Sequence, residues 1–269
     1  MNKPVRFGII GGNGWLGNAM ADAAVASGFI LPEHLSCSAR SDGRGKVEIP
    51  GIYWTRDNAE LAERSDVIVL SVRPDQFQAV EIDARGKAVV SVMAAVSAST
   101  IARRTNTDRV IRTLPNAAAS IRKSFTPWFA AKAVDAATKQ LVERFLGSFG
   151  EASEVEEERH IEYCVGLTGS GAAFPALLAQ AMIAHAVAQG LSADFARRAV
   201  EGVIVNASQL IAGLNPTVIV NEMIEYRGTT AAALTEMMQR GFYAAINSGL
   251  EAALRKAEGM AQQSTPIPS

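Results

Sequence analysis

The chain has 269 residues, and its 26 Lys and Arg against 27 Asp and Glu give a formal net charge of −1. That length suits two modest domains, and the charge balance excludes any strong pull toward nucleic acid or anionic lipid, which leaves a small molecule as the default partner. Cys37 and Cys164 lie far apart without CxxC spacing, and His34, His160 and His185 are equally scattered, so neither a disulfide scaffold nor a zinc site is supported and no metal is expected.

Strand-like Val5-Arg6-Phe7-Gly8-Ile9-Ile10 is reached almost at once, leaving no room for a signal peptide, and a cytoplasmic location is expected. Further short β-branched runs follow at Leu35–Ala39, Val67–Val72, Ala88–Met93 and Val110–Thr113, with a sixth at Ser124–Ala130. Helical segments alternate with them, the pattern of βαβ units feeding a parallel sheet. Continuous apolar strands such as Val67-Ile68-Val69-Leu70 suit a sheet covered on both faces.

From Ala133 onward the chain reads as helical, with segments at Ala133–Leu146, Ala172–Gln189, Ala193–Ala212, Pro216–Tyr226 and Thr230–Ala257. The stretch Tyr163–Ala193 contains no Asp, Glu, Lys or Arg. Gly, Ser, Thr, Gln and His185 interrupt it before a run of roughly 18 apolar residues is reached, so it reads as a turn followed by a buried helix. The charged connection Glu154–Arg159 places a boundary between Gly150 and Ile161. The fold class is thus α/β, with a dinucleotide-binding, Rossmann-like domain over 1–155, an all-helical domain over 156–260, and a tail over 261–269 that lacks a packing face and is expected to be frayed.

Gly12-Asn13-Gly14-Trp15-Leu16-Gly17 follows the first strand directly and precedes the helix-like segment Asn18–Ala26, the context that a dinucleotide fingerprint requires. Gly12 permits the tight turn, Gly14 lets the backbone approach a pyrophosphate, and Gly17 lets the helix pack closely on the strand. Free N–H groups at the helix start then hold the phosphates. Where an NAD-preferring site places a carboxylate, at the end of the second strand, this chain has Cys37-Ser38-Ala39-Arg40-Ser41. Arg40 can pair with a 2′-phosphate and Ser41 can donate to it, so NADP(H) is favoured over NAD(H); Arg40 also reads as a solvated loop arginine.

Beyond the glycine fingerprint, the chain carries Asp57-Asn58, Val69-Leu70-Ser71-Val72-Arg73-Pro74, the strand end Ser91–Ser97, Arg112-Thr113-Leu114-Pro115-Asn116 and Gly166-Leu167-Thr168-Gly169-Ser170-Gly171-Ala172-Ala173-Phe174. In this order, from Phe7 to Ala257, it resembles the pyrroline-5-carboxylate reductase family. The resemblance implies a Rossmann domain followed by a helical domain that interlocks with a second copy, each substrate site being completed across that interface. It implies that Asn58 contacts the adenosine ribose, that Ser71, Val72, Arg73 and Pro74 line the cofactor groove, that Ala94, Ala95 and Asn116 lie near the nicotinamide end, and that Thr230 hydrogen-bonds the substrate's imine nitrogen. Ser71–Pro74 also reads as a plain strand exit, and Asn116 as a cap after Pro115.

Departures concentrate in the substrate half. The family's Ser-Pro-Gly-Gly-Thr-Thr segment, which receives the substrate carboxylate, aligns with Glu225-Tyr226-Arg227-Gly228-Thr229-Thr230. Arg227 can bind that carboxylate or pair with Glu225 instead. Ala117-Ala118 replaces Thr-Pro, Ala172 replaces Pro, and Ile121-Arg122-Lys123 occupies a stretch richer in glycine in the family. Substrate-binding candidates are therefore Arg227, Gly228, Thr229 and Thr230, with Thr230 the catalytic one.

Hydride transfer to an imine asks mainly for positioning, and no Ser-His-Asp order or paired-carboxylate motif is present. His185 reads as a core or interface histidine and Lys123 as an exposed lysine, or as a proton donor if the substrate were a ketone. The leading expectation is NADPH-dependent reduction of a small cyclic imine, 1-pyrroline-5-carboxylate to L-proline, by a homodimer or larger homo-oligomer. The alternatives are a reductase of another imine, keto acid or redox carrier, and a catalytically silent paralogue that binds nucleotide as a sensor or assembly partner.

Overall fold

The computed structural model describes residues 4–40 and 49–264, with the side chains of 261–264 left aside. Two compact units result: Gly171–Glu251, and Met1–Ser170 together with Ala252–Ser269. The first unit is built on β1 (Phe7–Ile10), β2 (Leu35–Ser38), β3 (Tyr53–Thr55), β4 (Val67–Leu70), β5 (Ala88–Ser91), β6 (Val110–Thr113), β7 (Ser124–Ala130) and β8 (Gly150–Glu154). They form one sheet in the order β3-β2-β1-β4-β5-β6-β7-β8. All neighbours are parallel except β6 and β7, where Arg112 faces Phe129 and Thr113 faces Trp128 across an antiparallel pair.

Alternation along the strands sends side chains to two separate cores, as the two-residue period demands. Phe7, Ile9, Val67, Val69, Val90 and Ile111 pack on one face beneath α1 (Trp15–Ala26) and α4 (Ala136–Gly147). There Phe145 lies with its ring centroid 5.1 Å from that of Phe7 and 5.5 Å from that of Phe149. Ile10, Ile68, Leu70, Val89 and Val110 pack on the other face, beneath α2 (Asn58–Arg64), α3 (Ala98–Thr105) and the 3₁₀ turn Pro74–Ala79. Both helices of that second face start on a side-chain cap: Asp57 accepts from the N–H groups of Ala59 and Glu60, and Ser97 from that of Thr100.

Six strands stand where the sequence places them, four of them trimmed at an end and β6 and β7 with the expected bounds. β3 and β8 are additions: each is an edge strand with no buried residue, too short or too polar to show an apolar run. The stretch Gly150–Glu154, expected to open the domain connection, pairs instead with β7, and the charges at 151 and 154 suit an exposed edge. Beyond it, α5 (Glu158–Cys164) also belongs to the first unit. The compact units therefore divide at Ser170/Gly171 and again at Glu251/Ala252, whereas the change in composition lies near 155/156.

The second unit contains α6 (Phe174–Ala188), α7 (Ala193–Gly202), α8 (Pro216–Glu225), α9 (Thr229–Gln239) and the start of α10 (Phe242–Ser264). The single helix expected over Thr230–Ala257 is broken at Gly241, whose φ of +88° no helical residue adopts. α10 runs to Ser264, so the first part of the expected frayed tail is helical, and 265–269 lie outside the described residues.

The helix expected to be buried after Ala172 is not covered within the single chain. No residue of α6 is buried in the chain, and in the whole unit only Ala196, Val200 and Ala231 are. Leu177, Leu210, Ile211 and Leu214 each stand more than half exposed. By length and composition the helical run Glu158–Ala188 also meets the requirement for crossing a membrane, against the expectation that its Gly, Ser and Thr would disqualify it. Apolar helices need a covering surface, and within the single chain these have none.

Gly17 is tightly packed in α1: an added Cβ there would stand 2.3 Å from the carbonyl oxygen of Gly11. Gly17→Ala must push α1 away from β1, and we expect a loss of roughly 1–3 kcal/mol in urea unfolding. An unchanged midpoint would show that the helix has room to spare.

Candidate functional site

The cleft begins where β1 ends. Gly11 turns the chain with a φ of +84°, and the N–H groups of Gly11 and Gly12 both donate to the Ser38 carbonyl, at 3.0 and 2.9 Å, which lashes the turn to the end of β2. The Gly14 N–H closes the loop on the Gly11 carbonyl at 3.0 Å. Gly14 is also the N-cap of α1; it offers no side chain to the first turn, which holds no acidic residue. The opening N–H groups of α1 therefore have no cap, which is the arrangement that receives a phosphate. A Cβ on Gly14 would stand 3.1 Å from the Gly11 carbonyl oxygen, so the surface there is backbone alone.

Around this turn lies a cleft of about 520 Å³ at the carboxyl ends of β1, β2 and β4. In a sheet with this strand order, the reversal between β1 and β4 is the place where ligands bind. Of the residues singled out from the sequence, Asn13, Gly14, Trp15, Leu16, Arg40, Asn58, Ser71, Val72 and Arg73 line it. Gly12 and Gly17 act from beneath: a Cβ on Gly12 would stand 2.8 Å from the Cβ of Cys37. Pro74 starts a 3₁₀ turn and holds Arg73 extended before it. Ser41 lies outside the described residues.

Asn58 is oriented by the Ser38 hydroxyl, which donates to its Oδ1 at 2.7 Å and leaves the amide N–H groups as donors for a ligand. Arg56 and Gln76 also line the cleft, unforeseen from the sequence. Arg56 follows β3, a strand too short to be read, so nothing brought it into the motif. The described residues of the lining include no Asp or Glu.

The residues assigned to the nicotinamide end lie off this cleft. Ala95 is buried in the left-handed region, φ +63°, which costs a residue with a Cβ about 1 kcal/mol. Ala94 packs against the small cluster of Leu114, Ile161 and Cys164. Asn116 caps the turn Ala117–Ile121 by accepting from the Ala118 N–H at 3.0 Å, while its Nδ2 donates to the Thr168 carbonyl at 3.1 Å.

An ion cluster around a buried arginine lies close to this end. Arg112 is 1% exposed and donates through Nη1 to Glu158 at 2.8 Å and to Glu162 at 2.5 Å. Glu158 also accepts from the Ala98 N–H at the start of α3, at 2.7 Å. The charged segment read as a solvated connection thus sends one carboxylate, with Glu162 a turn later, onto an arginine within the fold.

Arg227, Gly228, Thr229 and Thr230 stand in the second unit, on the turn from α8 into α9. Arg227 adopts φ +55°, keeping a left-handed backbone where the family's segment has glycine, and Gly228 is the N-cap of α9. Thr230 is exposed on the first turn of α9, and Tyr226 is 86% exposed. His185 is exposed on α6, which removes its reading as a core residue, and Lys123 is exposed as well. Among the described residues, no group of His, Cys, Asp or Glu is placed to hold a metal ion.

Residues 158–260 match the family model for pyrroline-5-carboxylate reductase dimerisation, and residues 6–95 match that for NADP oxidoreductase coenzyme F420-dependent. A pyrroline-5-carboxylate reductase of Thermus thermophilus is 29% identical over 91% of this chain and 95% of its own. Pyrroline-5-carboxylate reductase 2 of Bacillus subtilis is 26% identical over 96% of each. Among solved structures, the Plasmodium falciparum pyrroline carboxylate reductase with NADP bound has the same fold, with a TM-score of 0.82 at 19% identity over 96% of this chain and 98% of that one.

Cys37, packed under the glycine turn, gives a pH signature. Burial pushes its thiol from 9.0 up to about 12. The unfolded chain therefore sheds this proton near pH 9 while the folded chain keeps it, and stability falls as pH rises from about 9 to about 12. Denaturant unfolding between pH 8 and 10.5 should show a steeper decline for the wild type than for Cys37→Ala; parallel declines would mean that the thiol is not held protonated.

Proposed function

The chain belongs to the pyrroline-5-carboxylate reductase family and is an NAD(P)H-dependent oxidoreductase, and from that premise we propose that it reduces 1-pyrroline-5-carboxylate to L-proline with NADPH. The observation that carries the reading is the cleft over the glycine turn, whose described lining includes no Asp or Glu, with Arg40 just past the end of β2. A cradle of bare backbone at Gly14 suits a pyrophosphate, and a cationic wall suits a 2′-phosphate. The bound nicotinamide supplies the hydride.

In this reading the chain's own residues bind and orient. Asn58 holds the adenosine ribose, Ser71, Val72, Arg73 and Pro74 form the groove wall, and Ala94, Ala95 and Asn116 shape the nicotinamide end. The uncapped start of α9 and the Arg227 guanidinium receive the substrate carboxylate, and the Thr230 hydroxyl orients the imine nitrogen. Arg227 replaces the backbone freedom of a glycine with a charge. The residues 156–260 serve as the substrate and dimerisation domain, whose bare apolar helices are covered by a second copy rather than by lipid, in a cytoplasmic enzyme. The 1–155 segment serves as the dinucleotide-binding domain, with 261–269 as a tail outside both.

A second reading, reduction of a different cyclic imine or of a keto acid, is favoured by one feature: Glu225, Tyr226 and Arg227 change shape and charge together at the substrate loop. Absorbance at 340 nm separates the two. NADPH oxidation with 1-pyrroline-5-carboxylate should be robust and should fall roughly 10²-fold in kcat in Thr230→Ala, in keeping with the loss of a group that acts on a proton in the transition state. Turnover only with other imines or keto acids would favour the second reading, and tight NADPH binding without turnover on any of them would leave a silent nucleotide-binding paralogue.

A further inference from the structure

We propose that Arg112 is a positioning residue for the reaction: through Glu158 and Glu162 it holds α5, and with α5 the π-helical turn Val165–Ser170, against the two chain segments that carry Ala95 and Asn116. This deepens the proposed function and rests on its reading of Ala94, Ala95 and Asn116 as the nicotinamide end. All of the groups involved lie in the first unit. Glu158 and Glu162 stand one helical turn apart on the same face of α5, so a single guanidinium can take both. One residue of slippage turns a helix by about 100° and would carry both carboxylates away from it.

Charge pairing for its own sake does not account for this arginine. Its side chain is almost wholly buried, both ion pairs run through Nη1, and Nε and Nη2 have no hydrogen-bond partner among the described residues. A buried guanidinium with two nitrogens unpaired recovers only part of its desolvation cost, and an apolar side chain of similar size would join helix to sheet as firmly. What the charge adds is direction, and three hydrogen bonds carry it outward. Glu158 also accepts from the Ala98 N–H at 2.7 Å, at the start of α3 and just past Ala95. Ala95 keeps a left-handed backbone, φ +63°, which persists only where the surroundings fix it. At the other end of α5 the Thr168 hydroxyl donates to the Cys164 carbonyl at 3.0 Å, and the Thr168 carbonyl takes Nδ2 of Asn116 at 3.1 Å. One cation thus stands at the joint between the strand exits of β5 and β6 and the turn that follows α5. A misplacement of about 1 Å caused by a remote change can slow a reaction roughly 10²-fold, so loosening this joint reduces turnover without removing any group that touches the ligand.

The experiment compares wild type with Arg112→Lys, Glu162→Ala, Glu162→Gln and Arg112→Met. Each is assayed for NADPH oxidation with 1-pyrroline-5-carboxylate, using NADPH with hydrogen or deuterium at the transferred position, and titrated with 2′,5′-ADP, which lacks the nicotinamide. Glu162→Ala, and Arg112→Lys, which keeps the charge but not the planar fork, should lower kcat about tenfold. They should also raise the deuterium isotope effect on kcat, because poorer alignment slows the hydride step itself. Affinity for 2′,5′-ADP should stay within about twofold of wild type, and thermal melting within a few degrees. Glu162→Gln, whose amide oxygen still accepts from Nη1, should recover most of the loss. Arg112→Met leaves two carboxylates without their cation and should lose at least as much; if it fails to fold, the two milder variants decide. If folded Glu162→Ala and Arg112→Lys keep the wild-type kcat, or if kcat, 2′,5′-ADP affinity and melting all fall together, the cluster serves the fold alone and the positioning role is wrong while the reductase reading stands. If wild type turns over no 1-pyrroline-5-carboxylate, the proposed function falls, and the positioning role with it.

Discussion

Everything in the first unit is arranged around one close approach, that of α1 to the turn leaving β1. The helix can start there because Gly17 has no Cβ to strike the Gly11 carbonyl, and because Gly11 adopts a left-handed backbone against Ser71, whose carbonyl oxygen would stand 2.2 Å from an added Cβ. Three chain segments meet with only backbone between them. That economy of side chains leaves the first N–H groups of α1 bare and directed at the switch between β1 and β4. The same compression buries Cys37 under Gly12 and couples the packing of the sheet to the shape of the phosphate site.

The second unit follows the opposite logic. Its helices carry apolar residues yet bury almost none of them within the chain, so they lack the core that ordinarily offsets the entropy of ordering a chain. In the first unit, two cores enclose a single sheet, and their side chains account for its order without any partner. The contrast fits the finding that a helical segment with the hydropathy of a membrane span lies within the region that matches a dimerisation model.

The parts legible in the sequence were those with strong local signals. Four-residue runs of buried β-branched and aliphatic residues gave the central strands, and the glycine fingerprint gave the turn. β3 and β8 were not legible because edge strands need no apolar run. The break at Gly241 was hidden by helix formers on both sides. Glu158 read as part of a charged connection because nothing local reveals that Arg112, 46 residues earlier, is buried beside it. Arg56 escaped for the same reason as β3: its place in the cleft lining comes from strand pairing rather than from spacing to the glycines. α6 was read as buried because its composition is apolar, whereas burial within one chain depends on what is there to cover it.

The most direct test of the central claim, that bare backbone at the β1–α1 turn makes the dinucleotide site, is the affinity of Gly14→Ala for NADPH. A Cβ there approaches the Gly11 carbonyl oxygen to 3.1 Å and Ser71 to 4.0 Å, close enough to fill the cradle but without the 2.3 Å collision met at Gly17. The account predicts a variant that melts within a few degrees of wild type and binds NADPH at least tenfold more weakly by calorimetry. A Gly14→Ala protein that binds NADPH as tightly as wild type would contradict it and move the site elsewhere on the sheet.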